Sequence, residues 1–163
     1  MTDDTRKSAR EEFDDPLENY EPRVYRDTLK QALMEETVAA IQSRPYTSIS
    51  PNSTVEQALI LLAGRGVACA LVEEDGKLVG VFSDRDALNK TSLEYEAMKD
   101  RPVCDVMTAD PVYVYESDSS AAALCVMAVM GHRHVPVLDR DHKILGIVTP
   151  QRISTFLLGH VDA

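Results

Sequence analysis

Apolar side chains recur at Leu29, Leu33, Val38 and Ile41, close to helical spacing, after Asp27, a residue type that caps helix N-termini well. The spacing predicts one amphipathic helix reaching Gln42 or Ser43, before Pro45 forces extended backbone. Beyond it the pattern repeats. Residues 45–92 superpose without gaps on residues 111–158, a constant offset of 66, with Pro45 on Pro111, Ser53 on Ser119, Lys77 on Lys143 and Gly80 on Gly146. Each copy opens with a short run of β-branched and aromatic residues that favours a strand, 46–49 and 112–115. A helix follows. In the first copy Ser53-Thr-Val-Glu56 has the form of a capping box, with Ala58, Leu59, Leu62 and Ala63 as the apolar face. In the second, Asp118 or Ser119 caps residues 121–130, and Gly64 or Gly66 and Gly131 end the two helices. Two strands come next, 67–72 and 77–82 about the turn Glu74-Asp75-Gly76, then 135–138 and 143–148 about Arg140-Asp-His142. A closing helix starts at Ser83 and at Thr149, the latter with Pro150 well placed at the first helical position. The unit is β-α-β-β-α.

About 50 to 60 residues of this kind cannot shield a sheet face alone. The expected fold is therefore α/β, with two repeats packing their sheets about a pseudo-two-fold axis and ligand clefts between them. The expected organisation is an acidic disordered tail at 1–25, the N-terminal helix at 26–44, repeat one at 45–100 and repeat two at 101–163. The tail assignment rests on eight acids within the first 21 residues, with Pro16 interrupting any helix.

Charge and composition narrow the function. A formal charge of −10, from 27 acidic and 17 basic residues, repels phosphate backbones on average and argues against a nucleic-acid binder. The longest uncharged apolar stretch, 121–130, falls far short of the roughly 18 residues a membrane span needs and reads as a buried core helix. The first residues lack the apolar core of a secretory signal, so a cytoplasmic location is expected. Cys69, Cys104 and Cys125 form no CxxC, and Cys69 and Cys125 sit in apolar runs, which reads as buried reduced thiols. His132 and His134 have no accompanying carboxylate set, so no metal site and no catalytic centre is expected; metal-assisted hydrolysis there is a distant alternative.

Three segments carry a resemblance: Asp105-Val-Met-Thr108 leading into a repeat, His134-Val-Pro-Val137 entering a strand, and Gly80-Val-Phe-Ser-Asp-Arg-Asp86 closing the first copy. Together with the repeat they resemble a tandem pair of cystathionine-β-synthase (CBS) domains, a Bateman module, over roughly residues 38–158. The resemblance implies a regulatory module without catalysis that binds AMP, ADP, ATP or S-adenosylmethionine as a ligand, with no cofactor required. Two chains of such modules usually form a flat disc, so a homodimer is expected. The family's ribose motif falls on Gly80, Ser83 and Asp86. An ionised carboxylate can accept hydrogen bonds from both vicinal ribose hydroxyls, although Ser-x-x-Asp before a helix is also a plain capping box.

At the equivalent place the second copy has Gly146, Thr149 and Arg152, and a guanidinium has only donors. By resemblance to such pairs, the Asp86 site borrows from the other copy: Val112, Tyr113 and Val114 would bracket the adenine, and Arg133 and His134 would meet the phosphates. Their first-copy counterparts are Val67 and Ala68, which favours one functional site over two. The expected function is an adenine-nucleotide sensor acting on an unknown partner through a change of shape or rigidity. The alternative is a ligand-free scaffold that uses the fold for dimerisation.

Overall fold

The computed structural model describes residues 24–161; the acidic segment lies almost wholly outside the described residues. Helix α1 (Thr28–Glu35) starts at the expected cap, the Asp27 carboxylate accepting from the amides of Leu29 and Lys30. It ends seven residues before Gln42. Glu36 turns extended, Val38–Ala40 makes a single 3₁₀ turn, and Gln42–Ser43 is a strand, β1. Tertiary pairing overrides helix propagation here. The Val38 amide donates to the Asp118 carbonyl, the Ser120 amide donates to the Glu36 carbonyl, and the side chains of Val38 and Ile41 are completely buried. A spacing of three apolar positions suits a 3₁₀ turn as well as an α-helix, so the periodicity could not separate them.

The first repeat then runs β2 (Ser48–Ile49), α2 (Val55–Arg65), β3 (Cys69–Glu74), β4 (Lys77–Ser83) and α3 (Asp84–Lys90). A short helix, α4 (Tyr95–Met98), a 3₁₀ turn at Val103–Asp105 and a two-residue strand, β5 (Thr108–Ala109), lead to the second repeat. That copy runs β6 (Val114–Tyr115), α5 (Ser120–Met130), β7 (Val135–Leu138), β8 (Ile144–Val148) and α6 (Pro150–His160). The expected β-α-β-β-α order holds in both copies. The capping box on α2 sits one residue later than expected: Thr54 and Gln57 exchange the two bonds, at 3.2 and 3.0 Å. The Ser53 backbone is engaged elsewhere, donating to Ser50 and accepting from Val103. Gly66, Gly131 and the Asp75-Gly76 turn all take positive φ, the conformation that ends the helices and reverses the hairpin.

The strands form two mixed sheets, ordered β2-β3-β4-β5 and β1-β8-β7-β6. Each sheet is closed by a strand borrowed across the repeat boundary. β1 precedes the first repeat yet pairs antiparallel with β8, Gln42 opposite Val148. β5 lies ahead of the superposable part of the second copy yet pairs with β4, Val81 opposite Thr108. Lys77 bridges Lys143, its own repeat equivalent, as a pair lying on the pseudo-two-fold axis does.

Period-two alternation along the strands sorts the core into three parts. Ala70, Val72 and Phe82 face α2 and are sealed by Val103 and Val106. Val135, Val137 and Val148 face α5 and α6 and are sealed by Ala32, Val38 and Ile41. Between the sheets lie Cys69, Leu71 and Val81 from one repeat and Leu138, Ile144 and Ile147 from the other. Helix α5 is less buried than its uniformly apolar sequence suggests: Ala123 is inside, while Cys125, Val129 and Met130 face outward. Among the described residues no helix is long and apolar enough to cross a membrane.

Gly80 and Gly146 mark the two crossings of the borrowed strands. A Cβ on Gly146 would stand 2.8 Å from the Ser43 carbonyl and from Gln42 Oε1, whereas one on Gly80 would meet only the Met107 side chain, which can rotate away. Gly146→Ala is expected to cost about 1–3 kcal/mol of stability, with a clearly smaller loss for Gly80→Ala, in urea denaturation of the two variants.

Candidate functional site

β4 delivers Ser83 to the first turn of α3, where the helix cap sets the direction of the Asp86 side chain. The Ser83 hydroxyl accepts from the Asp86 amide at 3.4 Å, while Asp86 Oδ2 accepts from the Ser83 amide and hydroxyl at 3.0 and 2.7 Å. The capping box is therefore formed, and it holds the carboxylate in one orientation. Its other oxygen, Oδ1, accepts from Lys90 Nζ at 2.9 Å and from the Thr108 hydroxyl at 3.1 Å. Asp86 is only 7% exposed. Burial pushes its pKa up, but the bonds from Lys90 and Ser83 and the Lys90 charge hold it below the usual carboxylate value, so the group is anionic at neutral pH.

This carboxylate opens into a cavity of ≈ 170 Å³ between the repeats, walled by Val81, Ser83 and Asp86 from one copy and Val112, Arg133 and His134 from the other. Five of the seven residues expected at the site thus come together. Tyr113 and Val114 do not line this cavity. Val114 is buried in the core beneath α5, and Tyr113 turns into the layer between the sheets, its ring edge-on to Tyr115 at 5.6 Å and to His142 at 5.9 Å. Alternation along an extended segment sends successive side chains to opposite faces, which puts Tyr113 and Val114 in different layers.

The cavity also holds residues to which the sequence pattern gave no ligand role, Asp84, Thr108 and Pro111, together with Arg85 and His132. Lys90 was missed as well, although a lysine four residues after an aspartate on a helix is a readable signal. Thr108 could not be found from local pattern, because it reaches Asp86 only through the exchange of β5 into the first sheet. Arg133 spans the cleft to Asp84 Oδ1 at 3.5 Å. His134 is partly buried; desolvation pulls its pKa below the ordinary histidine value, the Asp84 charge opposes this, and Arg133 and Arg85 add to the depression. The cleft therefore presents the buried Asp86 carboxylate at its floor and, on the far wall, the Arg133 guanidinium paired with Asp84 beside an imidazole that burial keeps mostly neutral at pH 7.

The repeat-equivalent cleft is larger, ≈ 440 Å³, and is walled by Tyr46, Val67, Thr149, Pro150 and Gln151, with Arg133 and His134 reaching it too. Arg152 does not enter this cleft; it lines a separate surface hollow with Gln42, Arg44 and Glu116. No acid stands where Asp86 stands in the first cleft. Among the described residues no three metal-ligating side chains converge. Cys69 is buried, its thiol pushed up to about 12 by desolvation and by the charges of Asp86 and Asp84, while Cys104 and, contrary to expectation, Cys125 are exposed.

The model of the CBS domain matches residues 38–92 and 103–159. Homoserine O-acetyltransferase of Methanosarcina acetivorans is 30% identical over 135 residues, 82% of this chain but 24% of that protein. The chain spans between 24% and 31% of the length of the first curated relatives it matches. Among solved structures, CBSX2 in complex with AMP is 29% identical, with a TM-score of 0.67 over 76% of this chain and 97% of that one. The CBS domain pair of protein MJ0100, in complex with 5-methylthioadenosine and S-adenosyl-L-methionine, shares the fold at 23% identity and a TM-score of 0.65, covering 76% of this chain and 96% of that one.

Proposed function

This chain belongs to the CBS domain family, and on that premise we propose that it is a regulatory module binding one adenosyl nucleotide, AMP, ADP or ATP, in the cleft at Asp86. The observation that carries the reading is the placement of a buried, ionised carboxylate at a helix start in the same cavity as Arg133 and His134 from the other repeat. The ribose hydroxyls bond to Asp86 and the phosphates face Arg133 and His134, so the ligand ties one repeat to the other. Val112 contributes an apolar wall for the base. CBSX2, similar over 76% of this chain, was solved with AMP, which supports this ligand class; S-adenosylmethionine belongs in the same screen. A ligand that bridges two repeats favours the arrangement in which both halves of its site are in place, and that difference in affinity is what a partner reads. No catalytic step is assigned to any residue.

The reading of a ligand-free scaffold draws on one observation: Asp86 is already bonded as a helix cap. A thermal-shift screen with AMP, ADP, ATP and S-adenosylmethionine separates the two, since only a sensor is stabilised.

Calorimetry should find one AMP per chain, and Asp86→Ala should cost about 1.5–3 kcal/mol of binding, the range for bonds to a charged group; two equal sites would contradict the assignment.

Arg133→Ala should weaken AMP about five- to tenfold and leave adenosine unchanged, a modest effect because the guanidinium is half exposed. A bound phosphate raises the His134 pKa from its depressed free value, so affinity rises as pH falls and levels off once the free imidazole is itself protonated, below about 6.5. AMP gains a proton near pH 6 too, so the measured quantity is the difference between wild type and His134→Ala.

The chain should pair with a second copy through its outward apolar side chains, Ile60 on α2, Val129 and Met130 on α5 and Leu158 on α6. Light scattering at micromolar concentration should give the dimer mass, and a monomer would exclude the pairing.

A further inference from the structure

We propose that Thr108 and Lys90 are positioning residues that set the strength of the ribose contact with opposite signs, Thr108 competing for the Asp86 carboxylate and Lys90 holding it in place. The proposal rests on the assignment of the ribose hydroxyls to Asp86.

A carboxylate offers about four lone-pair positions. All are taken within the chain: the Ser83 amide and hydroxyl on Oδ2, the Lys90 ammonium and the Thr108 hydroxyl on Oδ1. An incoming hydroxyl therefore replaces a donor already present. The Ser83 amide is held by the helix cap, and the Ser83 hydroxyl also serves that cap by accepting from the Asp86 amide. Lys90 directs its three protons to Asp86 Oδ1 and to the carbonyls of Val106 and Met107, at 2.9, 2.7 and 3.2 Å, and it approaches from outside the cavity wall. Thr108 differs on each count. Its hydroxyl is neutral and rotatable, it lies on the cavity wall, and the residue is exposed. It is the donor that yields.

The two residues are also tied to the same piece of backbone. Thr108 begins β5, the strand lent to the first sheet, and Lys90 grips the two carbonyls just before it. Replacing the Thr108 hydroxyl by a ligand hydroxyl thus acts on the segment that joins the repeats.

The test is isothermal titration calorimetry of the 163-residue chain with AMP and with 2′,3′-dideoxy-AMP, which offers no ribose hydroxyl. Thr108→Val keeps the β-branched shape and removes the competing donor. It should tighten AMP about two- to tenfold, the span of one neutral hydrogen bond, and leave dideoxy-AMP unchanged. Thr108→Ser, which retains the hydroxyl, should match wild type. Lys90→Met should weaken AMP several-fold without affecting dideoxy-AMP, and Lys90→Arg should recover part of the loss.

If Asp86→Ala leaves AMP affinity unchanged, the ribose assignment itself falls. If Asp86→Ala loses affinity but Thr108→Val weakens AMP, leaves it unchanged, or shifts AMP and dideoxy-AMP together, the inference falls and the ribose assignment stands. Should Lys90→Met fail to fold, the Thr108 pair decides alone.

Discussion

The two-residue strands lent across the repeat boundary are the constraint on which the rest of this structure depends. β1 and β5 are among the shortest elements in the chain, yet each completes the sheet of the other repeat and carries with it the apolar residues that seal that repeat's core. Val38 and Ile41 lead into the first copy and close the second; Val103 and Val106 lead into the superposable part of the second copy and close the first. Neither repeat can bury its own sheet without its neighbour's leader, so the pair is one folding unit rather than two domains on a string. The absence of a side chain at Gly146, where β8 meets Ser43, is a local requirement of the same crossing.

The exchange also builds the cleft. Because β5 runs beside β4, Thr108 arrives at the carboxylate of Asp86, and the chain then continues through Pro111 and Val112 along the cavity wall into the second repeat. The carboxylate itself has two physical uses. It caps α3 through Ser83, which fixes its direction, and its bonds to Lys90 and Ser83 keep it charged despite burial. A group held that way is preorganised for a ligand hydroxyl, and each bond that organises it is also a competitor.

Pseudo-symmetry makes two clefts, and the side chains make them unlike. One has the buried acid; in the other the equivalent residue, Arg152, turns to a different surface beside Glu116. Arg133 and His134 have Val67 and Ala68 as counterparts, so the basic side chains of this pair of positions come from one repeat only, and they border both clefts. The asymmetry is chemical and not architectural.

Much of this was legible in the sequence because it is local. The offset between the copies, the Asp-Gly turn, the glycine helix ends, and Ser83 and Thr149 as caps are set by residues within a few positions of one another, and all are present. Ser83 and Asp86, read from the motif, and Val112, Arg133 and His134, implied by the family resemblance, line one cavity. What failed was long-range. The spacing of Val38 and Ile41 looked helical, but backbone bonds to residues 118 and 120 converted that stretch into a 3₁₀ turn and a strand. Tyr113 and Val114 were joined to Val112 through the family resemblance, whereas the pleat sends Tyr113 and Val114 to different faces. Sequence alone determined the repeated unit and the chemistry available at its helix starts, because caps, turns and periodicity are short-range energies. Only the tertiary structure decided which sheet each leading strand joins and which donors surround Asp86, because those depend on pairings between residues that the chain keeps far apart.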